Sequence, residues 1–147
     1  MDKIEVNGLL LTPLKQIYHP KGDIFHVMKQ SDVGYEGFGE AYFSTIHYTD
    51  TKPWKKHLRM TLNFVVPVGE IRFVIYDDRE GSSTFGLFFD ITLGQKNYQR
   101  ITIPPNVWVA FSGVGKELNL LLNVANLEHD STEVERKNRL EDIQYQW

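Results

Sequence analysis

Apolar and polar residues alternate along most of the chain, and the alternation is clearest between residues 54 and 67. There the odd positions are Lys55, His57, Arg59, Thr61 and Asn63, and the even ones, Lys56 apart, are Trp54, Leu58, Met60, Leu62 and Phe64. A two-residue period of this length predicts a half-buried β-strand with one polar face. That face carries two cations, an imidazole, a hydroxyl and an amide. It either meets water or lines a pocket for an anionic, oxygen-rich ligand. Similar short runs fall at 8–12, 23–29, 40–48, 70–77, 85–93, 100–103, 107–111 and 118–124. Glycine, proline and asparagine clusters separate them, as in His19-Pro20-Lys21-Gly22 and Ser112-Gly113-Val114-Gly115. Only 131–140 reads as helical, with Asp130 or Ser131 as cap and Glu133 and Glu135 near its positive end. Roughly nine or ten short strands at regular spacing predict an all-β sandwich or barrel.

Length adds that this is one domain, 1–147, large enough for a core without staples. The absence of cysteine rules out disulfides and thiolate metal sites. A net charge of −3 gives no general electrostatic reason to expect nucleic acid or a membrane surface. The opening Met-Asp-Lys-Ile-Glu has no run of signal-peptide length, and no stretch approaches a membrane span. A soluble, cytoplasmic protein is expected.

Three segments carry a family resemblance: Gly69-Glu70-Ile71-Arg72-Phe73-Val74-Ile75-Tyr76-Asp77-Asp78-Arg79, Thr102-Ile103-Pro104-Pro105-Asn106-Val107-Trp108, and Asn126-Leu127-Glu128-His129-Asp130 with Glu133-Val134-Glu135-Arg136. Together they resemble the dTDP-4-dehydrorhamnose 3,5-epimerase family, in its shorter branch associated with bacterial surface polysaccharides. The resemblance runs from Pro13-Leu14-Lys15 to Tyr145-Gln146-Trp147. It implies a cupin-type jelly-roll barrel, all-β with a short C-terminal helix, and a homodimer. It also implies proton abstraction beside the ketone of a nucleotide-linked 4-keto-deoxy sugar, without an organic cofactor. Aligned on Trp54, the family's basic histidine is replaced by Lys55, with His57 two residues on. A second family histidine is replaced by Val109, and no tyrosine stands in 123–128, where the family's catalytic one lies. These departures keep a second reading open: an epimerase-like module that binds a nucleotide sugar or carbohydrate without turning it over.

His57 is the candidate acid or base, because imidazoles titrate near neutrality. Lys55 is a second candidate base or a phosphate partner. Arg59 and Arg72, on neighbouring predicted strands, form a candidate diphosphate clamp. Thr61, Asn63 and Asn123 can bond sugar hydroxyls, and Tyr76 and Trp108 can stack on a base or ring. The resemblance places His26 where family members reach into the neighbouring subunit's pocket. A cupin metal centre needs two histidines one residue apart, a glutamate and a distant third histidine. Lys55 stands in place of one, and no histidine lies between 57 and 129, so no metal is expected.

Overall fold

The computed structural model describes residues 4–147, and the first three residues of the sequence lie outside it. Two five-stranded antiparallel sheets face each other. The first runs β1 (Leu10–Pro13), β9 (Gln99–Ile103), β6 (Leu62–Val68), β11 (Leu120–Ala125), β4 (Glu40–Thr45). The second runs β12 (Val134–Arg136), β5 (Thr51–His57), β10 (Trp108–Gly113), β7 (Glu70–Tyr76), β8 (Phe88–Gly94). A small ribbon, β2 (Gln16–Ile17) with β3 (Ile24–Phe25), lies outside both. This is the jelly roll that the family resemblance implies, and it agrees with the sandwich or barrel expected from the strand count.

Alternation sends Leu62, Phe64 and Val66 of β6 inward against Ile71, Phe73 and Ile75 of β7. Phe64 and Phe73 stack with ring centroids 5.5 Å apart, and Phe111 closes the aromatic group. The outer face of the second sheet is also buried. Trp54, Val74, Trp108 and Ala110 pack under the C-terminal tail through Ile143, Leu140, Tyr145 and Trp147. The tail is therefore part of the packing, not an appendage.

Two local departures from regular pleating build the site. The expected strand at 54–67 is two strands in opposite sheets, broken by a corner at 58–61. Leu58 N donates to the Glu133 carbonyl at 2.7 Å, and the next three corner amides turn to side chains. Arg59 N and Met60 N each donate to Glu133 Oε2 at 3.1 Å, and Thr61 N donates to Asn126 Oδ1 at 2.8 Å. Crossing the corner reverses the inward positions: Lys55 and His57 before it, Leu62 and Phe64 after it. The second departure is in β5, where the register against β10 slips by one residue between Val109↔Lys55 and Phe111↔Lys52. Pro53, which has no amide to donate, sits at this bulge. The extra residue carries Trp54 outward and brings both Lys52 and Lys55 to the inner side.

The expected helix at 131–140 is a correction of another kind. One 3-10 turn, Ser131–Glu133, starts it, capped by Asp130, and a second turn covers Leu140–Asp142. Between them Val134–Arg136 forms β12, because the free edge of β5 offers a ladder (Val134↔His57, Arg136↔Lys55). Tertiary pairing overrides the local preference here.

Asp77 fastens the loop after β7. Its fully buried carboxylate accepts from Arg79 N, Nε and Nη2, Ser82 Oγ and Thr84 Oγ1. Burial raises this carboxyl's pKa, but those bonds outweigh it and hold it far below the usual range. A depressed folded pKa contributes stability above the unfolded value, and that contribution is lost as pH falls through the folded one. Asp77→Asn is expected to cost about 1–3 kcal/mol at neutral pH. Urea unfolding should show the gap from wild type narrowing once pH drops below about 4.

Candidate active site

A cavity of ≈ 170 Å³ opens between the sheets. Tyr42, Ser44, Leu62, Phe64, Leu121 and Asn123 line it from the first sheet, and Lys52, Pro53, Lys55, His57, Val109 and Phe111 from the second. Its floor is apolar and its rim is polar. Whole-ligand sites usually enclose about 300–1,000 Å³, so this space suits one ring of a larger ligand rather than all of it.

His57 sits at the end of β5, its side chain 15% exposed. Its Nδ1 lies 2.5 Å from Oε1 of Glu133, whose side chain is 2% exposed. A carboxylate only accepts, so Nδ1 carries the hydrogen, and in the neutral ring Nε2 is left with a free lone pair. Burial raises the Glu133 carboxyl's pKa, but bonds from His57 and the Arg59 and Met60 amides hold it below the ordinary carboxylate range. Glu133 thus does two things at once: it shapes the corner and fixes the tautomer of His57.

Lys55 stands at the mouth, exposed on one side. Desolvation, with the positive charges of Arg136 and Lys52, pulls its pKa below the usual lysine value. Lys52, Lys55, Arg136 and Lys137 line a groove on the same rim. Lys52 is held by the Thr45 carbonyl at 2.8 Å.

Asn123 also lines the pocket. Its Oδ1 accepts from Asn63 N at 3.3 Å, and its Nδ2 donates to the Tyr42 hydroxyl at 3.2 Å. The other expected ligand contacts lie elsewhere. Arg72 is on the outer face of β7, held by Asp90 through Nε at 2.9 Å and Nη2 at 2.6 Å and stacked near Trp147. Arg59 is on the exposed corner, 3.3 Å from Asp130. The neighbours of β7 are β10 and β8, so the two arginines do not form the expected clamp. Asn63 faces away from the cavity, its amide donating to the Gly34 carbonyl and accepting from Thr102 Oγ1. Thr61 is buried at the corner. Tyr76 stacks on Phe88, and Trp108 donates to Asp78, both under the tail. His26 lies in a separate groove with Lys15, Lys29 and Asp32.

Tyr42, which lines the pocket, and Glu133, which stands behind His57, are site residues that strand-by-strand reading passes over. Each reaches the site through a partner distant in sequence, Asn123 and His57 respectively. Among the described residues, no group of three or more His, Cys, Asp or Glu is placed to hold a metal ion.

Fold and pocket define a jelly roll with a carboxylate-oriented histidine inside the barrel. No family model matches the chain. Its structure superposes on the dTDP sugar isomerase of Desulfovibrio desulfuricans G20 with a TM-score of 0.94, at 36% identity over 100% of this chain and 95% of that one. The chain belongs to this family of dTDP-sugar isomerases and dTDP-4-dehydrorhamnose 3,5-epimerases. An 84-residue stretch is 38% identical to the probable low-salt glycan biosynthesis epimerase Agl13 of Haloferax volcanii. That match covers 56% of this chain and 54% of the relative, so it spans about half the relative's length. ChmJ, a 3'-monoepimerase from Streptomyces bikiniensis solved with dTDP-quinovose, shares the fold at a TM-score of 0.84 and 13% identity, over 97% of this chain and 75% of that one. Among the described residues no helix is long and apolar enough to cross a membrane.

Proposed function

We propose that the protein is an epimerase acting on a carbon beside the ketone of a nucleotide-linked 4-keto-6-deoxy sugar, dTDP-linked in the first instance, during surface-polysaccharide synthesis. The observation that carries this is the His57–Glu133 pair beside the cavity. Relatives named as a dTDP sugar isomerase and a glycan biosynthesis epimerase support the substrate class.

The sugar ring occupies the cavity and the nucleotide lies outside its mouth. His57 Nε2 removes the proton beside the ketone, and the electron pair moves onto the carbonyl oxygen as an enolate. Lys55 is the nearby donor for that oxygen. The ketone itself makes the C–H acidic, so no organic cofactor is required. Lys52, Lys55 and Arg136 take the diphosphate at the rim, the task expected of Arg59 and Arg72. The reading carries with it a homodimer in the cytoplasm. Phe43 on edge strand β4 and Phe38 just before it, 63% and 65% exposed, offer a face for a second copy.

Incubation with a dTDP-linked 4-keto-6-deoxy sugar, followed by NMR of the product, tests the activity. A sugar inverted at C3 or C5 is expected. Tight binding with the sugar unchanged would favour the binding-module reading, which rests on Val109 and on the lack of a tyrosine in 123–128.

Arg136→Ala is expected to raise KM by about tenfold while leaving kcat nearly intact, since a group that holds the diphosphate binds ground and transition states alike. The defect should shrink in high salt, which screens this exposed rim.

A further inference from the structure

The family's catalytic tyrosine is missing from 123–128, yet a tyrosine reaches the cavity from the neighbouring strand. β4 pairs antiparallel with β11, and the register sets Tyr42 directly opposite Asn123. We propose that Tyr42 is the catalytic acid that returns a proton to the substrate carbon from the face opposite His57. This rests on the epimerase reading above.

Position supports it first. His57 belongs to the second sheet and Tyr42 to the first, and both line the cavity enclosed between the two. Inversion at one carbon requires a proton to leave on one side of the ring and return on the other. Two acid–base groups on facing sheets supply that arrangement. Two acid–base groups on one strand, such as Lys55 and His57, do not.

Hydrogen bonding supports it second. The Asn63 backbone amide donates to Asn123 Oδ1, which fixes the orientation of the side-chain amide and leaves its NH2 aimed at Tyr42. The Tyr42 oxygen is therefore an acceptor toward Asn123, and its own hydrogen remains available to a ligand. After that hydrogen leaves, the same amide stabilises the phenolate. Asn123 is a positioning residue in this scheme.

The balance closes. His57 Nε2 gains the proton from the carbon beside the ketone, and the C–H pair becomes the enolate π-bond with charge on oxygen. The enolate collapses back to the ketone as that carbon takes the Tyr42 hydroxyl proton on its other face. The imidazolium and phenolate that remain return to neutral by exchange with water.

The test is Tyr42→Phe, which removes one oxygen from a half-exposed side chain. In deuterated water, with a dTDP-4-keto-6-deoxy sugar, NMR reports two quantities in one sample. One is deuterium entering the unreacted sugar, and the other is formation of the inverted sugar. Their ratio is independent of how much protein is folded. The proposal expects exchange to persist while inversion falls by about 10²–10⁴-fold, the usual contribution of a positioned acid. Inversion at the wild-type rate in Tyr42→Phe would overturn the assignment while leaving the epimerase reading standing. A wild-type protein that neither exchanges nor inverts would overturn both. Asn123→Leu should lower the inversion-to-exchange ratio in the same direction; an unchanged ratio would contradict the positioning role.

Discussion

Replacing His57 by alanine is expected to lower turnover of the keto sugar by about 10²–10⁴-fold, the typical contribution of one positioned base. The loss should fall mainly on kcat, because the imidazole acts on a proton that moves only in the transition state. The fold should survive at some cost in stability, because the Glu133 carboxylate loses the His57 bond but keeps those of the Arg59 and Met60 amides, so turnover is to be read per folded protein. Binding measured by calorimetry with the substrate nucleotide should be little changed, because the rim cations Lys52, Lys55 and Arg136 remain. A His57→Ala protein with wild-type turnover would remove the base from the mechanism.

Glu133→Ala should damage both stability and activity, and the two effects have separate causes. The carboxylate satisfies His57 Nδ1 and the Arg59 and Met60 amides in a buried setting. Removing one partner of such a buried pair typically costs about 3–5 kcal/mol. That loss should be visible as a lower urea midpoint with an unchanged slope. Activity falls as well, because without its acceptor the His57 ring is free to rotate and change tautomer. Glu133→Gln separates the two. An amide of the same shape still accepts the Arg59 and Met60 bonds and should restore much of the stability. It also offers a competing donor to His57, so activity should stay low. The depressed Glu133 pKa adds a pH effect: its stabilisation is present above the unfolded glutamate pKa and declines as pH falls through the folded one. Wild type and Glu133→Gln should therefore converge in stability on acidification.

Much of this was legible from residues alone, and the limits are instructive. Alternation in β7 separated inward Ile71, Phe73 and Ile75 from outward Arg72, Val74 and Tyr76. It could not say that Asp90 and the C-terminal tail wait on the outer side, which makes Arg72 a structural ion pair. The first two members of the polar stripe, Lys55 and His57, line the cavity. Beyond His57 the pattern continued in sequence while the chain turned a corner, and Arg59, Thr61 and Asn63 left the cavity. The cause of that corner is Glu133, 76 residues from His57. A carboxylate that accepts backbone amides leaves no periodic trace. The same holds for Tyr42, whose importance depends on its register against Asn123. Caps and charges in the tail suit a helix, but the free edge of β5 claims its middle. Local pattern located the strands; partners distant in sequence decided the chemistry.

The measurement that bears most directly on the central claim is solvent exchange by the unmodified protein. With a nucleotide-linked 4-keto-6-deoxy sugar in deuterated water, NMR should show deuterium appearing on a carbon adjacent to the ketone, at a rate abolished in His57→Ala. Binding of such sugars with no deuterium entering either adjacent carbon would contradict the account.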